Sequence, residues 1–232
     1  MKNFRKSFKY GLCEEFSMNL ENIFNKVDPV KKEKKINLIN NTLTYKELLA
    51  LFNETCETLR EFNKMEARNE YYRYSRKLLG GYNLNSRNVS RLGEKLYEEF
   101  KKTELNEVVS IFISAMIQSS FEKGHNNFEF GVINLPTFGF CLEGEERRKL
   151  KIKMKKILGD DAFFNAKYLD IVLDELSGQY AFMESKNITL KCKRLNSYAS
   201  FLNAEFCEIE TFNLNDLYPL MSSKSCKLII VC

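Results

Sequence analysis

The C-terminal half of the chain repeats itself every 19 residues. Four copies align: DAFFNAKYLDIVL from Asp161, YAFMESKNITLKC from Tyr180, ASFLNAEFCEIET from Ala199 and YPLMSSKSCKLII from Tyr218. Ala166, Ser185, Ala204 and Ser223 share a small-residue column. Phe163, Phe182, Phe201 and Leu220 share a large apolar column, and Phe164, Met183, Leu202 and Met221 follow it. Two further apolar columns hold Leu169, Ile188, Cys207 and Cys226, then Ile171, Leu190, Ile209 and Leu228. Gly159, Gly178, Ser197 and Asp216 occupy a turn column, and an earlier partial copy starts near Leu150. A period of this kind sets the architecture before any single residue is considered.

Period-2 alternation is plain in Leu150-Lys-Ile152-Lys-Met154 and in Ile188-Thr-Leu190-Lys-Cys192. Alternation argues for strands, and 19 residues is short for a pair of helices. The reading is therefore a parallel β-solenoid, in which successive coils stack about 4.8 Å apart and each column becomes a ladder of like residues. The small column then marks a tight corner, and the aromatic and aliphatic columns fill the interior. Outward positions support the same register. Lys151 is set to face Asp170, Lys191 to face Glu210, and Glu208 to face Lys227. Opposite charges on facing strands contribute roughly 0.2–1 kcal/mol each, and a slip of one residue would turn the core columns outward.

From about Phe138 to Cys232 the chain thus resembles the β-solenoid, or parallel β-helix, class of repeat proteins. Solenoids of related shape occur in bacterial cell-division and cytoskeletal proteins, in scaffolds of cluster assembly and in the glycine-repeat domain of glutamate synthase. This chain lacks the glycine-rich signature of the last and the hexapeptide pattern of acyltransferases, so no functional residue is carried over.

Residues 1–125 read as helices. Thr44-Tyr-Lys-Glu47 is a capping box, and Leu48, Leu49, Phe52, Leu59 and Phe62 recur on one helical face, with a pattern that runs on through Tyr71, Tyr72 and Leu78 to Gly80-Gly81. A second helix opens at Asn85 or Ser86, and a third spans about Glu104 to Lys123 with Gly124 at its C-cap. Met18 to Val27 reads as a short helix and Lys31–Lys35 as a solvated connector. The expected fold class is α+β: a helical domain over 1–125, then a β-solenoid of four to five coils over 126–232.

Function is much less legible. One His and no Trp leave little catalytic chemistry. No P-loop, dinucleotide fingerprint or HExxH occurs, so no catalytic residue, cofactor or metal is assigned. The seven cysteines are odd in number and form no CxxC, which suggests a reducing, cytoplasmic setting. The basic N-terminus lacks the apolar stretch of a signal peptide, and no run of about 18 apolar residues predicts a membrane span. Cys192 and Cys207 fall in inward columns, where thiols act as small hydrophobes.

Four features remain as candidate sites. Arg147, Arg148, Lys151, Lys153, Lys155 and Lys156 form a basic strip, read either as protection of an early or edge strand or as a polyanion surface such as RNA would need. The segment Arg68 to Lys77 mixes tyrosines with basic groups, as single-strand binders do, although an amphipathic packing helix explains it as well. His125 lies at the junction of helices and solenoid, where an enzyme or enzyme subunit would place a site. Leu228, Ile229, Ile230 and Val231 form a hydrophobic final strand, and an uncovered edge of that kind invites association. The leading expectation is a non-catalytic binding or assembly protein, paired with a protein partner or with itself as a homodimer through this coil. Nucleic acid is the less favoured partner, and a membrane is not expected.

Overall fold

The computed structural model describes residues 42–58 and 64–231, which belong to one compact unit. The helix expected at Met18–Val27, the lysine-rich connector and residues Leu59 and Phe62 lie outside the described residues.

Four helices come first. Helix α1 (Tyr45–Thr58) opens on the capping box: the Thr44 N–H donates to Glu47 Oε2 at 2.8 Å and the Glu47 N–H to Thr44 Oγ1 at 3.3 Å. Helix α2 (Lys64–Leu79) carries the later part of the apolar pattern, with Tyr72 and Leu79 buried. Helix α3 (Ser86–Phe100) is capped by Asn85, whose Oδ1 accepts the Asn88 N–H at 2.9 Å. Helix α4 (Asn106–Glu122) is buried on every side from Val109 to Phe121. It is apolar around most of its circumference, and such a helix needs cover on all faces. Helices α2 and α3 pack on it. It stops where Gly124 takes φ +99°, a conformation costly for a residue with a Cβ. There the His125 N–H reaches the Ser120 carbonyl at 3.2 Å and the Gly124 N–H reaches that of Phe121 at 2.9 Å, the paired bonds of a Schellman end.

Six parallel strands then form one sheet in chain order: β1 (Asn127–Ile133), β2 (Leu150–Leu158), β3 (Lys167–Gln179), β4 (Lys186–Tyr198), β5 (Glu208–Asp216) and β6 (Lys227–Ile230). From β2 onward the register is that of the repeat: Leu150 lies beside Leu169, Leu169 beside Ile188, Thr189 beside Glu208, and Glu208 beside Lys227. The chain is a parallel β-solenoid preceded by helices. Strand β1 adds one more coil, offset by 24 residues (Asn127 beside Lys151), because the connection over 134–149 is longer than later ones.

The columns explain the winding. Phe163, Phe182 and Phe201 are fully buried and their rings stack face to face, with centroids 4.9 and 4.6 Å apart. Phe138 extends the stack edge-on at 5.8 Å. Each of the three takes positive φ, at 58, 59 and 59°. That conformation is unusual for a bulky residue. Here it turns the ring inward at the corner while the backbone bonds its neighbours above and below. The Phe182 N–H reaches the Ala162 carbonyl at 2.7 Å, and the Phe201 N–H that of Ala181 at 2.7 Å. Ala166, Ser185 and Ala204 close each corner, bonding back to the Phe three residues earlier at 3.1–3.3 Å.

Two outward details differ from the sequence reading. The column Phe164, Met183, Leu202, Met221 does not fill the interior. The corner reverses the chain after each buried Phe, so this column lies half-exposed, and Met221 fully so. Asp170 sits beside Lys151 in register, yet its carboxylate bonds the Lys149 ammonium at 3.0 Å, and that ammonium also reaches Thr189 Oγ1 at 2.9 Å. The pairs Lys191–Glu210 (2.7 Å) and Lys227–Glu208 (3.5 Å) form as the columns imply. No helix among the described residues is long and apolar enough to cross a membrane.

Candidate functional site

A stack of coils has two ends, and each leaves backbone groups without a neighbour. The helices close the first end. Glu94 of α3 accepts the Gly131 N–H of β1 at 2.6 Å. Gly93 lets α3 approach closely, since a Cβ there would touch Ile113 and Phe130. In α4, Ser114 Oγ accepts the Gly139 N–H at 2.9 Å, while the Gln118 side-chain amide bonds both backbone groups of Glu143, at 3.0 and 2.9 Å. One coil later these roles belong to backbone: Phe163 bonds Phe138, and Lys167 bonds Leu142. Side chains of α4 therefore stand in for a missing coil.

The other end is different. The Lys227 N–H reaches the Cys207 carbonyl at 2.8 Å and the Val231 N–H that of Thr211 at 2.9 Å. Backbone groups alternate in direction along a parallel strand, so Leu228 and Ile230 turn theirs away from β5. Among the described residues no strand pairs with that edge. The core thins here as well. Phe201, Cys207 and Ile209 are buried, whereas their successors Leu220, Cys226 and Leu228 are only partly so. Nine large apolar side chains are exposed among the described residues, and all but Val132 and Val172 lie between Tyr198 and Ile230, with Leu217 at 74% and Phe212 at 59%. An apolar cluster of this kind marks interaction surfaces.

The expected edge residues Leu228, Ile229, Ile230 and Val231 thus sit together on the outermost described strand and just beyond it. The basic strip is placed otherwise. Strand β2 lies between β1 and β3, so its lysines protect no edge. Three of the six strip residues face carboxylates: Arg148 bonds Glu145 at 2.8 Å and covers the Phe121 ring at 4.2 Å, Lys153 bonds Glu129 at 2.8 Å, and Lys156 bonds Glu175 at 2.9 Å. Lys151 and Lys153 line a groove of about 630 Å³ beside Ser86, Arg87 and Ser90. His125 is half-buried at the end of α4.

The tyrosine-basic helix packs rather than displays. Tyr72 is buried and donates to the Cys141 carbonyl at 3.1 Å. Arg68 bridges Glu107 at 2.5 Å and Asp161 at 3.2 Å, tying α2 to α4 and to the solenoid corner. Burial pushes the Cys207 thiol up to about 12 and the Cys56 thiol up to about 11, so neither is a thiolate at neutral pH. Among the described residues, no group of three or more His, Cys, Asp or Glu could hold a metal ion. Comparison with family models, with curated proteins and with solved structures finds no match to this chain. Ser114 and Gln118 escaped the sequence reading because a serine and a glutamine within a helix carry no signal of their own.

Proposed function

We propose that this chain is a non-catalytic assembly protein that docks another protein, or a second copy of itself, on the coil carrying β6. The open edge at Leu228 and Ile230, on the outer coils that carry most of the exposed apolar side chains, carries the reading. Strand addition to such an edge supplies main-chain hydrogen bonds for affinity and side-chain pockets for specificity. The capped first end limits the event to one face, which suits pairing rather than filament growth. A polyanion surface on the basic strip has less support, because Arg148, Lys149, Lys153 and Lys156 already face carboxylates. A reducing, cytoplasmic setting fits the free thiols of Cys56, Cys192, Cys207 and Cys226.

Photo-cross-linking in the producing cell tests the proposal. A photoreactive residue at position 230 captures one defined protein or a second copy, and the same residue at position 155 captures neither. Equal capture at both positions, or none at 230, would overturn it.

A further inference from the structure

Two outward columns of the outer coils pair opposite charges. Lys186 bonds Glu205 at 3.1 Å, and Glu205 also bonds Lys224 of the next coil at 3.4 Å. In a second column Glu208 bonds Lys227 at 3.5 Å. Both ladders therefore end on a cation at the open edge. Lys224 and Lys227 are exposed, at 77% and 67%, and among the described residues each has a carboxylate only on its inner side. Residues 217–231 contain no Asp or Glu. A twofold pairing of two such edges would bring together the same acid-free coil, and no carboxylate would meet these lysines.

We infer that the partner of this edge is an extended acidic segment. It adds as a strand beyond β6, with two carboxylates three residues apart over Lys224 and Lys227 and apolar residues over Leu228 and Ile230. The inference rests on the proposed docking role of this coil. Strand β5 shows what such a segment looks like. Glu205 and Glu208 lie under the two lysines, while Ile209 and Thr211 lie under Leu228 and Ile230. Because the repeat is regular, the same pattern laid on the far side of β6 meets the same partners. The main chain of the added strand would take the outward groups of Leu228 and Ile230, as β-augmentation does. The carboxylates supply the choice among apolar strands, which is the usual role of charge in an interface.

A labelled peptide copying residues 205–214, with valine in place of Cys207, is a direct probe. Fluorescence anisotropy with the full chain is expected to show saturable binding. Two exposed ion pairs are worth about tenfold in affinity together, so the peptide with the glutamates of positions 205 and 208 changed to glutamine binds about tenfold more weakly, and the version with lysine at those two positions more weakly still. The chain variant Lys224→Glu/Lys227→Glu reverses the preference, and the milder Lys224→Gln/Lys227→Gln abolishes it. Circular dichroism melting checks that both variants remain folded. Equal binding of the acidic and glutamine peptides overturns the acidic partner while leaving the docking surface intact. Failure of every peptide, with cross-links from position 230 only to a second copy, also overturns it and favours self-pairing. Failure of every peptide with no cross-link removes both proposals.

Discussion

The side-chain amide of Gln118 makes the two hydrogen bonds to the Glu143 backbone that a neighbouring coil would otherwise make. Helix α4 thereby supplies at this corner the bonds that a further coil would make. The amide has one donor and one acceptor group at the right separation, which a carboxylate lacks. Gln118→Ala leaves a part-buried N–H and C=O of Glu143 without these partners and is expected to cost about 1–3 kcal/mol. Gln118→Glu keeps the length and loses the donor, so it falls between. Urea denaturation of the two variants checks the order.

The phenylalanine stack is a continuous aromatic column in the interior. Phe182 lies between Phe163 and Phe201 with rings stacked on both sides. Phe182→Ala removes both contacts and leaves a cavity, so about 3–5 kcal/mol of stability should go. Phe182→Leu, which refills most of that volume, should lose markedly less. Equal losses in the two variants would contradict the stacked core.

Thiol chemistry reports on the inward columns. Cys192 and Cys207 are buried, and burial raises both thiols, that of Cys207 to about 12. Alkylation at neutral pH, mapped by mass spectrometry, should leave both unmodified in the folded chain and modify both in urea. Rapid labelling of either without unfolding would place its column on the surface.

Acid should loosen the outer ladder. Lys186 and then Lys224 hold the Glu205 carboxyl below its ordinary value, Lys193 does the same for Asp174, and Lys156 for Glu175. A carboxyl that is more acidic when folded stabilises the fold above its unfolded pKa, and that contribution disappears as pH falls through the folded value. Asp161 acts in the opposite sense, because burial raises it despite Arg68. The melting temperature should therefore fall between about pH 5 and about pH 2, and Glu205→Gln should flatten the fall.

Much of this architecture was legible because a solenoid writes its register into the sequence. Once Phe163, Phe182 and Phe201 align, Ile171, Leu190 and Ile209 must align too, and the structure stacks them all. The charge pairs were readable as columns but not as atoms. Lys149 rather than Lys151 takes Asp170, since a long flexible side chain can reach across a coil. Strand β1 was missed because its offset is 24 rather than 19. The outward turn of Phe164 depends on a positive-φ corner at Phe163, which no residue there announces as glycine would. The edge residues 228–231 stood out as an apolar strand, whereas the cap at Gln118 did not, because it works through geometry alone.

The central claim is that, among the described residues, β6 is bonded on one side only. Residue-resolved amide hydrogen exchange on the isolated chain tests it most directly. Lys227 and Val231, bonded to β5 at 2.8 and 2.9 Å, should exchange slowly, while Leu228 and Ile230 between them exchange fast. Uniform protection from Lys227 to Val231 in a monomeric sample would contradict the open edge and the docking role built on it.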